Sequence, residues 1–338
     1  MIIRGKAPLR ISFCGGGTDI SPYKDEQGGV VLSATINKYT YGSLQPCKGN
    51  SIVVHSLDYN IVAEYLTSED LQYDGQLDLV KAVLKAVCKK QGEGAQFFIH
   101  SDTPPSSGLG SSSTLVVTLI GLLKHWQQLT LTRYEIAELA YAIERLELGN
   151  KGGVQDQYAA AFGGFNFIEF GQKTVTVNPV PIASDVLHEL EYNLLLCYIG
   201  GTRLSDRIID TQINNYVCGG IDVLTAMQEL KDITLEMKKT LLQKRVDDFG
   251  TLLHDAWLNK KKMAAQITNA QIDELYEIAR AYGALGGKIL GAGGGGYLLL
   301  YCRFNKKFKI AAELEKRNGR IVDFAFTRGG LQTWEANS

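Results

Sequence analysis

The feature that most restricts the fold of this chain is a run of small residues between a predicted strand and a predicted helix. The strand covers residues 96–100, the run covers residues 102–113, and the helix starts near Thr114. Gly108 and Gly110 let the backbone turn with its amides pointing inward, next to the positive end of the helix. The consecutive hydroxyls that follow add donors for phosphate oxygens and an oxygen for a magnesium ion. The run therefore predicts a phosphate-binding loop.

Two alternatives to a phosphate-binding loop are weaker. A flexible Ser/Gly linker is the simpler one, but linkers are rarely enclosed by a strand, two prolines and an apolar helix. A Walker A loop is excluded because no Gly-Lys-Ser/Thr sequence closes the run.

A second glycine-rich segment, residues 149–157, follows the helix with the clearest signals, residues 132–148. Thr132 and Glu135 have the spacing of a capping box at the start of that helix. Within the glycine-rich segment, Asp156 is a candidate general base or electrostatic anchor. An aspartate in a loop more often caps a turn, but the surrounding glycines permit close approach of a substrate.

The end of the same helix carries Glu144 and Glu147, and either is a candidate magnesium ligand. Regular helical spacing places Glu147 on the face that holds Ile136, Ala140 and Ile143, whereas Glu144 lies at the edge of that face. A solvated helix end is the alternative for both residues. The spacing alone leaves the choice between them open.

Two further segments are rich in glycine. Residues 291–296 contain the GxGxxG pattern, but a strand at residues 297–301 follows it instead of a helix, so a pocket-lining turn is favoured over a dinucleotide site. Near the start of the chain, Arg10 and Asp19 flank residues 15–17, and they are candidate contacts for a phosphate and for hydroxyls. A plain turn from strand to loop is an equal alternative.

Composition excludes several classes of function. The 338 residues include 35 basic and 36 acidic side chains, and the net charge of −1 argues against a nucleic-acid partner. Cysteines and histidines lack ligand spacing, so we expect reduced thiols and no zinc site. The apolar run at residues 115–123 is too short to cross a bilayer, and residues 1–6 do not resemble a signal peptide. We expect a cytoplasmic protein without a membrane partner.

Strands and helices are interleaved without strict βαβ regularity, which predicts an α+β fold rather than a doubly wound α/β fold. The length corresponds to about two domains. The Asn-Pro-Val-Pro sequence at residues 178–181 breaks the pattern. We therefore expect an N-terminal domain over residues 1–178 and a C-terminal domain over residues 179–338, with a last strand near residues 320–326.

Together these segments resemble the GHMP small-molecule kinases, which include galactokinase and the homoserine, mevalonate and phosphomevalonate kinases. The order agrees as well: an Ala-Pro-x-Arg strand at residues 7–10, a Pro-x-x-x-Gly-Leu-x-Ser-Ser loop at residues 104–112, and a late glycine turn. The resemblance covers residue 6 to about residue 326, and the central loop is its specific part. It implies a two-domain α+β fold with the active site in the cleft between the domains and an ATP-binding N-terminal domain.

The resemblance also implies roles for individual residues, with ATP and Mg²⁺ as cofactors. Ser112 (or its neighbour Ser111) and Glu144 would hold Mg²⁺, since Glu144 lies five residues before Gly149 as the family's acidic ligand does. Asp156 would orient or deprotonate the acceptor hydroxyl, and Arg10 would stabilise charge near it. The ATP-binding residues would be Pro105, Ser106, Ser107, Gly108, Leu109, Gly110, Ser111, Ser112 and Ser113. The substrate-binding residues would be Gly16, Gly17, Thr18, Asp19, Gly153, Arg203, Gly293 and Gly294.

Within the family, Arg10 and residues 15–19 and 151–157 look most like the sugar kinases. Gly16 and Gly17 stand where galactokinase has Glu-His, so galactose itself is not expected as the substrate. The resemblance implies ATP-dependent phosphorylation of the anomeric hydroxyl of D-glycero-D-manno-heptose 7-phosphate. The alternatives are a fucose-type sugar 1-kinase and, less favoured, a non-catalytic sugar-sensing relative. Homo-oligomer formation is left undecided.

A substrate that already carries a 7-phosphate needs a cationic pocket. Arg203 follows a buried strand and lies at a predicted helix start, where an anion is favoured. Lys151 and Arg328 are weaker candidates. An ordinary surface cation is the alternative for all three.

Overall fold

The computed structural model describes residues 1–66, 71–88, 93–201 and 205–337, and within these ranges the strands form an eight-stranded and a four-stranded sheet. Helices pack against both sheets, which confirms the α+β class. No helix in the described part of the chain has both the length and the apolar character needed to cross a bilayer.

The first sheet is organised around one long strand. Its strands are β1 (Ile2–Cys14), β2 (Gly29–Cys47), β3 (Ser51–Ser56), β4 (Ile61–Leu66), β5 (Gly94–Ser101), β6 (Phe165–Phe170), β7 (Val175–Pro179) and β12 (Gln332–Ala336). The order is β12-β1-β2-β5-β3-β4, and β6 pairs with both β2 and β7. Among the described strand pairs of this sheet, β3–β5 is parallel and the others are antiparallel. Because β2 has 19 residues, it pairs with β5 near its C-terminal end and with β6 near its N-terminal end.

In the described ranges, five α-helices belong to this half of the molecule: α1 (Tyr23–Gln27), α2 (Asp78–Val87), α3 (Ser111–Gln127), α4 (Arg133–Tyr141) and α5 (Gln155–Phe162). Helix α3 begins at Ser111, earlier than the sequence predicts, and α4 has the predicted capping box between Thr132 and Glu135. A π-helical segment, Ala142–Glu147, continues α4. Helix α5 was not predicted, because the glycines before it suggest a loop.

The second sheet lies in the C-terminal half. Its strands β8 (Leu194–Tyr198), β9 (Ala284–Ile289), β10 (Tyr297–Cys302) and β11 (Arg320–Ile321) follow the order β11-β8-β10-β9. The helices are α6 (Ser184–Asn193), α7 (Ser205–Val217), α8 (Ile221–Leu242), α9 (Val246–Met263), α10 (Ala270–Ala281) and α11 (Lys307–Glu315), with a 3₁₀ turn at Ala265–Ile267. Their apolar core extends to Leu9, Ile11 and Phe13 of β1, so β1 packs against both halves of the molecule.

The end of the chain differs from the prediction. The strand expected over residues 320–326 stops at Ile321, and Phe326 makes only an isolated bridge to Ile36. The last strand is β12, which pairs antiparallel with β1 in the first sheet. The division into residues 1–178 and 179–338 stays a prediction, and in the structure β12 crosses it.

Candidate active site

A cavity of about 320 Å³ lies between the two halves of the molecule. The first half supplies the second part of β1, the loop before α3 and the start of α5, and the second half supplies α7, α9, β9 and the turn after β9. The predicted site residues that line it are Arg10, Gly16, Gly17, Asp19, Ser106, Gly108, Gly110, Ser111, Ser112, Ser113, Glu144, Gly153 and Asp156.

The loop before α3 alternates between the cavity and the protein interior. Ser106, Gly108 and Gly110 face the cavity, whereas Ser107 and Leu109 are buried. The left-handed conformations of Gly108 (φ 99°) and Gly110 (φ 81°) make this path available. The Leu109 carbonyl accepts a hydrogen bond from the Arg10 amide at 3.0 Å, so the loop is fixed to β1. Leu109 therefore holds the loop in place from the side away from the cavity.

The first turn of α3 carries Ser111, Ser112 and Ser113 on the wall of the cavity. Amides in the first turn of a helix lack intrahelical acceptors, and the helix dipole makes this end positive. The residue before the turn, Gly110, has no side chain to cap it. This end of the helix can therefore accept phosphate oxygens directly.

Glu144 is a buried carboxylate directly behind these serines. Its Oε1 accepts a hydrogen bond from Ser112 Oγ at 2.7 Å, and its Oε2 accepts from Ser113 Oγ at 2.6 Å and from Gln157 Nε2 at 2.7 Å. Arg145 Nη1 lies 3.3 Å from Oε1. We refer to Ser106–Ser113 together with Glu144 and Arg145 as the serine end of the cavity.

The π-helical segment decides which glutamate faces the cavity. A π-turn contains more residues than an α-turn, so it shifts every following side chain around the helix axis. Glu144 keeps an inward position and is 1% exposed, whereas Glu147 is exposed and accepts a hydrogen bond from the Tyr73 hydroxyl. The regular spacing that placed Glu147 on the apolar face does not hold in the structure.

The donor set around Glu144 fits a magnesium ion. Mg²⁺ prefers oxygen ligands and is usually bound by one or two carboxylates together with substrate phosphates. The Ser112 hydroxyl and the Glu144 carboxylate touch each other next to the helix end. The described residues contain no cluster of three or more His, Cys, Asp or Glu side chains suited to a metal. Phosphate oxygens and water would have to complete the coordination.

Asp156 and Arg10 form an ion pair on the wall of the cavity. Arg10 Nε donates to Asp156 Oδ1 at 2.8 Å, its Nη2 lies 2.7 Å from the same oxygen, and its Nη1 donates to the Gly108 carbonyl at 2.7 Å. The pairing of β1 with β2 shifts register between Pro8 and Arg10 and again between Ser12 and Cys14, so the strand is irregular around this part of the site. Asp156 lies in the first turn of α5, close to Gly110.

Asp19 lines the cavity, but hydrogen bonds engage both of its oxygens. Its Oδ1 accepts from the Gly17 amide at 2.9 Å, and its Oδ2 accepts from the amide and Nε2 of Gln155 at 3.1 and 3.0 Å. Asp19 therefore fixes the start of α5, one residue before Asp156. A Cβ atom at Gly153 would lie 1.9 Å from Oδ2, so any side chain there would push the Asp19 carboxylate aside.

Three residues expected to bind substrate lie away from the cavity wall. The hydroxyl of Thr18 donates to the Gly15 carbonyl at 2.8 Å and accepts from the Val30 amide, which closes a turn. In the turn after β9, Gly291 and Ala292 line the cavity. Gly293 and Gly294 pack instead against the backbone of the 3₁₀ turn, at Ile267.

The candidates for a 7-phosphate pocket are separated in the structure. Arg203 lies outside the described residues. Lys151 is exposed on the cavity rim and lies 3.6 Å from Asp210. Arg328 lines a different cavity together with Arg133.

Sequence reasoning missed two buried lysines in this cavity. Lys260 of α9 donates to the Gly16 carbonyl at 2.9 Å and to Gln212 Oε1 at 3.1 Å, and Lys288 of β9 donates to the Ser12 carbonyl at 3.0 Å. Burial, with a smaller contribution from a nearby cation in each case, lowers the pKa of Lys260 to about 7 and that of Lys288 to about 8.

A sequence signal existed for one of the two lysines. Lys288 interrupts an apolar strand, whereas Lys260 opens a Lys-Lys-Lys run that suggests a solvated helix end. We refer to the part of the cavity formed by Ser12, Gly16, Gly17, Asp19, Gln155, Gln212, Lys260 and Lys288 as the lysine end.

A second cavity, of about 790 Å³, lies on the outer side of the serine end. The two cavities share Ser106, Ser111, Ser112 and Asn150. Pro105, which the sequence assigns to nucleotide binding, lines this second cavity, and Tyr59, Leu77, Leu115 and Leu148 give it apolar walls.

Phosphoryl transfer depends on close positioning and charge neutralisation more than on covalent help, and this cavity offers both, so fold and site define a phosphotransferase. Residues 78–164 match the family described as GHMP kinases N terminal domain, and residues 237–320 match GHMP kinases C terminal. With these matches covering just over half of the chain, the chain belongs to the GHMP kinases, which use ATP as the phosphate donor.

Relatives and solved structures extend the match over the whole chain. The D-glycero-alpha-D-manno-heptose 7-phosphate kinase of Campylobacter jejuni is 40% identical over 98% of both chains. The crystal structure of a D-glycero-D-manno-heptose 1-phosphate kinase from Bacteroides thetaiotaomicron is similar with a TM-score of 0.83, 33% identity and coverage of 99% and 100% of the two chains. An L-fucokinase/L-fucose-1-P guanylyltransferase of Bacteroides fragilis is 27% identical over 89% of this chain but only 35% of its own length.

Proposed function

We propose that this protein transfers the γ-phosphoryl group of ATP to the anomeric hydroxyl of D-glycero-D-manno-heptose 7-phosphate. The product would be the 1,7-bisphosphate, an intermediate for a nucleotide-activated heptose, made in the cytoplasm. The observation that best supports a heptose phosphate as the acceptor is the 40% identity to the Campylobacter jejuni enzyme over 98% of both chains. The name of the Bacteroides thetaiotaomicron enzyme places the substrate's phosphate on carbon 1 instead. The experiment below therefore identifies which hydroxyl receives the phosphoryl group.

The proposed reaction centre is the ion pair of Asp156 and Arg10. A sugar hydroxyl is only weakly acidic, so Asp156 would align it and accept its proton late in the transfer rather than ionise it beforehand. Arg10 already binds Asp156 and the Gly108 carbonyl, which supports a role in holding Asp156 beside the phosphate loop. Its guanidinium would also offset negative charge on the transferring group.

The proposed ATP site is the serine end. The free amides of the first turn of α3 and the serine hydroxyls would hold the phosphates. Ser112 and Glu144 would hold Mg²⁺, which when bound neutralises charge on the phosphates. The second cavity has the volume and the apolar walls for a purine base, and Pro105, Ser106 and Ser111 on its wall support this assignment.

The residues of the acceptor site belong to the same proposal. The cavity wall near Asp156 includes Gly16, Gly17, Asp19 and Gly153. This position supports contacts between these two segments and the sugar. The hydrogen bonds to Asp19 favour an indirect role, in which Asp19 positions Gln155 and the start of α5. The residues up to 178 would form the ATP-binding domain, and the C-terminal domain would close the cleft.

The test is ATP turnover with Mg²⁺ over a panel of acceptors: heptose 7-phosphate, mannose 6-phosphate, mannose, fucose and galactose. We expect strong turnover with heptose 7-phosphate alone, and the phosphorus spectrum of the product should show a new anomeric phosphate. Turnover of fucose would favour the fucose-type alternative, for which the 27% identity to the Bacteroides fragilis protein is the supporting observation. Sugar binding without turnover would contradict both proposals and favour a sensor.

A further inference from the structure

We propose that Lys260, Lys288 and the side-chain amide of Gln212 form the subsite that receives the phosphate group already carried by the acceptor sugar. The proposal rests on the proposed function, because it assumes a phosphorylated acceptor. It assigns this phosphate to the lysine end of the cavity rather than to Arg203.

The first step is the missing counter-ion. Lys260 and Lys288 are each 5% exposed, yet neither forms an ion pair with any carboxylate in the described ranges. Asp19 is a carboxylate that raises the pKa of both lysines, but its oxygens accept hydrogen bonds from Gly17 and Gln155. A buried ammonium group without a partner anion is costly. A cavity that keeps two of them is therefore built for an anion that arrives with the ligand.

The second step is the direction of the donors. An ammonium group has three N–H donors, and Lys260 uses two of them on Gly16 and Gln212. Gln212 Oε1 accepts from Lys260, and the Nε2 of the same amide is a buried donor that has no hydrogen-bond partner among the residues that the structure describes. Lys288 uses one donor, on the Ser12 carbonyl. Spare donors without competing acceptors are what a phosphate requires.

The third step is the position of the subsite relative to the reaction centre. Lys288 binds the carbonyl of Ser12, which lies two residues along β1 from Arg10, about 6–7 Å in an extended strand. Lys260 lies further along, at Gly16. The phosphate would therefore lie at the opposite end of the sugar from the hydroxyl that Asp156 contacts.

The space between the two ends is polar. Ser12 Oγ and Gln155 Oε1 both line the cavity and are buried, and neither finds a hydrogen-bond partner within the described chain. One hydroxyl and one amide oxygen suit the hydroxyl groups of a sugar. Gly17 keeps this space open, because a Cβ atom there would lie 3.0 Å from Lys260 Nζ and 3.3 Å from Gln212 Oε1.

The lowered lysine pKa values give the subsite a pH dependence. Besides burial, Lys288 lowers the pKa of Lys260, while Asp19 and Cys14 raise it. For Lys288, Arg10 lowers the pKa, while Cys14 and Asp19 raise it. With pKa values of about 7 and about 8, both lysines lose charge as the pH rises through this range. A bound phosphate dianion favours the charged forms, so binding at pH 8 should take up protons.

A purely structural role is the competing explanation, since both lysines also hold the backbone of residues 12–16. The two roles differ in what a substitution changes. Loss of a structural contact weakens all acceptors alike, whereas loss of a phosphate contact weakens only phosphorylated ones.

The experiment compares heptose 7-phosphate with the same heptose lacking its phosphate, for wild type, K260M, K288M and the control K261M on the same helix. We expect K260M and K288M each to lower the ratio of the two kcat/KM values at least tenfold, K260R to restore part of it, and K261M to leave it unchanged. An unchanged ratio in K260M and K288M, with both sugars equally affected, would overturn the subsite.

Two measurements keep the outcome clear. If K260M does not fold, Q212L removes only the amide and should still lower the ratio. Calorimetric titration of wild type with heptose 7-phosphate at pH 8, in two buffers of different ionisation enthalpy, should show proton uptake, and its absence counts against the lysines. If the wild type prefers the unphosphorylated sugar, the proposed function is contradicted. If the wild type prefers the phosphorylated sugar and both variants keep that preference, only the subsite is contradicted.

Discussion

The serine end and the lysine end of the cavity are built in opposite ways. The serine end comes largely from one continuous segment, residues 106–113, and offers backbone amides and hydroxyls at a helix start. The lysine end comes from side chains far apart in the chain, from Ser12 to Lys288, and offers buried ammonium groups. A site formed by one continuous segment can be predicted from the sequence, whereas a site formed by residues far apart in the chain is recognised only in the folded structure. The comparison also predicts that substitutions at the two ends affect different kinetic constants.

The largest effect is expected at Asp156, which lies where the two ends meet. D156N removes the carboxylate and keeps the shape, so kcat should fall about a thousandfold, within the range of general acid–base contributions. ATP affinity should change little, because the serine end is intact. Stopped assays for kcat and calorimetry for ATP measure the two separately.

D185N is the matched control for D156N, because Asp185 is also the second residue of its helix and is exposed. We expect kcat to be unaffected in that variant. If D156N lost ATP binding and turnover to the same degree, Asp156 would have a role in the architecture of the serine end instead of in the transfer.

An intermediate effect is expected from the two glutamates. E144Q should raise the Mg²⁺ concentration needed for half-maximal rate about 10- to 100-fold, as is typical when a ligand environment is disturbed. E147Q should leave it near the wild-type value, because Glu147 is exposed and bonded to Tyr73. Calorimetry of Mg-ATP binding checks both variants, and the reverse order of effects would assign the metal to Glu147.

The smallest effect separates two adjacent glycines. A Cβ atom in G153A would collide with the Asp19 carboxylate, and in G152A it would meet the Arg145 guanidinium 2.4 Å away. Asp19 belongs to the lysine end and Arg145 to the serine end. We expect G153A to raise the acceptor KM about tenfold, in keeping with overpacking costs of roughly 1–3 kcal/mol.

For G152A we expect a smaller change that falls on the ATP KM, since a long arginine side chain can move aside. Each variant adds one methyl group, so G153A tests the lysine end and G152A tests the serine end. Equal changes of both KM values in both variants would mean that the two ends are not independent.

Local signals account for what the sequence predicts well. The serine loop, the capping box at Thr132 and the strand at Phe165–Phe170 each depend on residues that are neighbours in the chain, and each is present in the structure. Two shifts in backbone geometry escape such reasoning. Glu147 leaves the apolar face where a π-helical segment continues α4, and Asp156 lies on a helix that the preceding glycines conceal.

Long-range packing accounts for the rest. The burial of Lys260 depends on contacts with Gly16 and Gln212, which are distant in sequence, so its own neighbours in the chain suggest a solvated lysine. Thr18 shows the opposite case. It lies in a segment that resembles the family's substrate-binding motif, but its hydroxyl closes a local turn and does not line the cavity. The motif indicates the region of the site, and the three-dimensional packing selects the side chains that face the ligand.

The pairing of β12 with β1 has a consequence for synthesis of the protein on the ribosome. Residues 2–6 pair with residues 332–336, so one edge of β1 stays unpaired until residues 332–336 have been translated. At about 5–20 residues per second that interval is roughly 15–65 s. Arg4 and Lys6 lie on this waiting edge, and charged residues on an open strand edge disfavour pairing with other nascent chains.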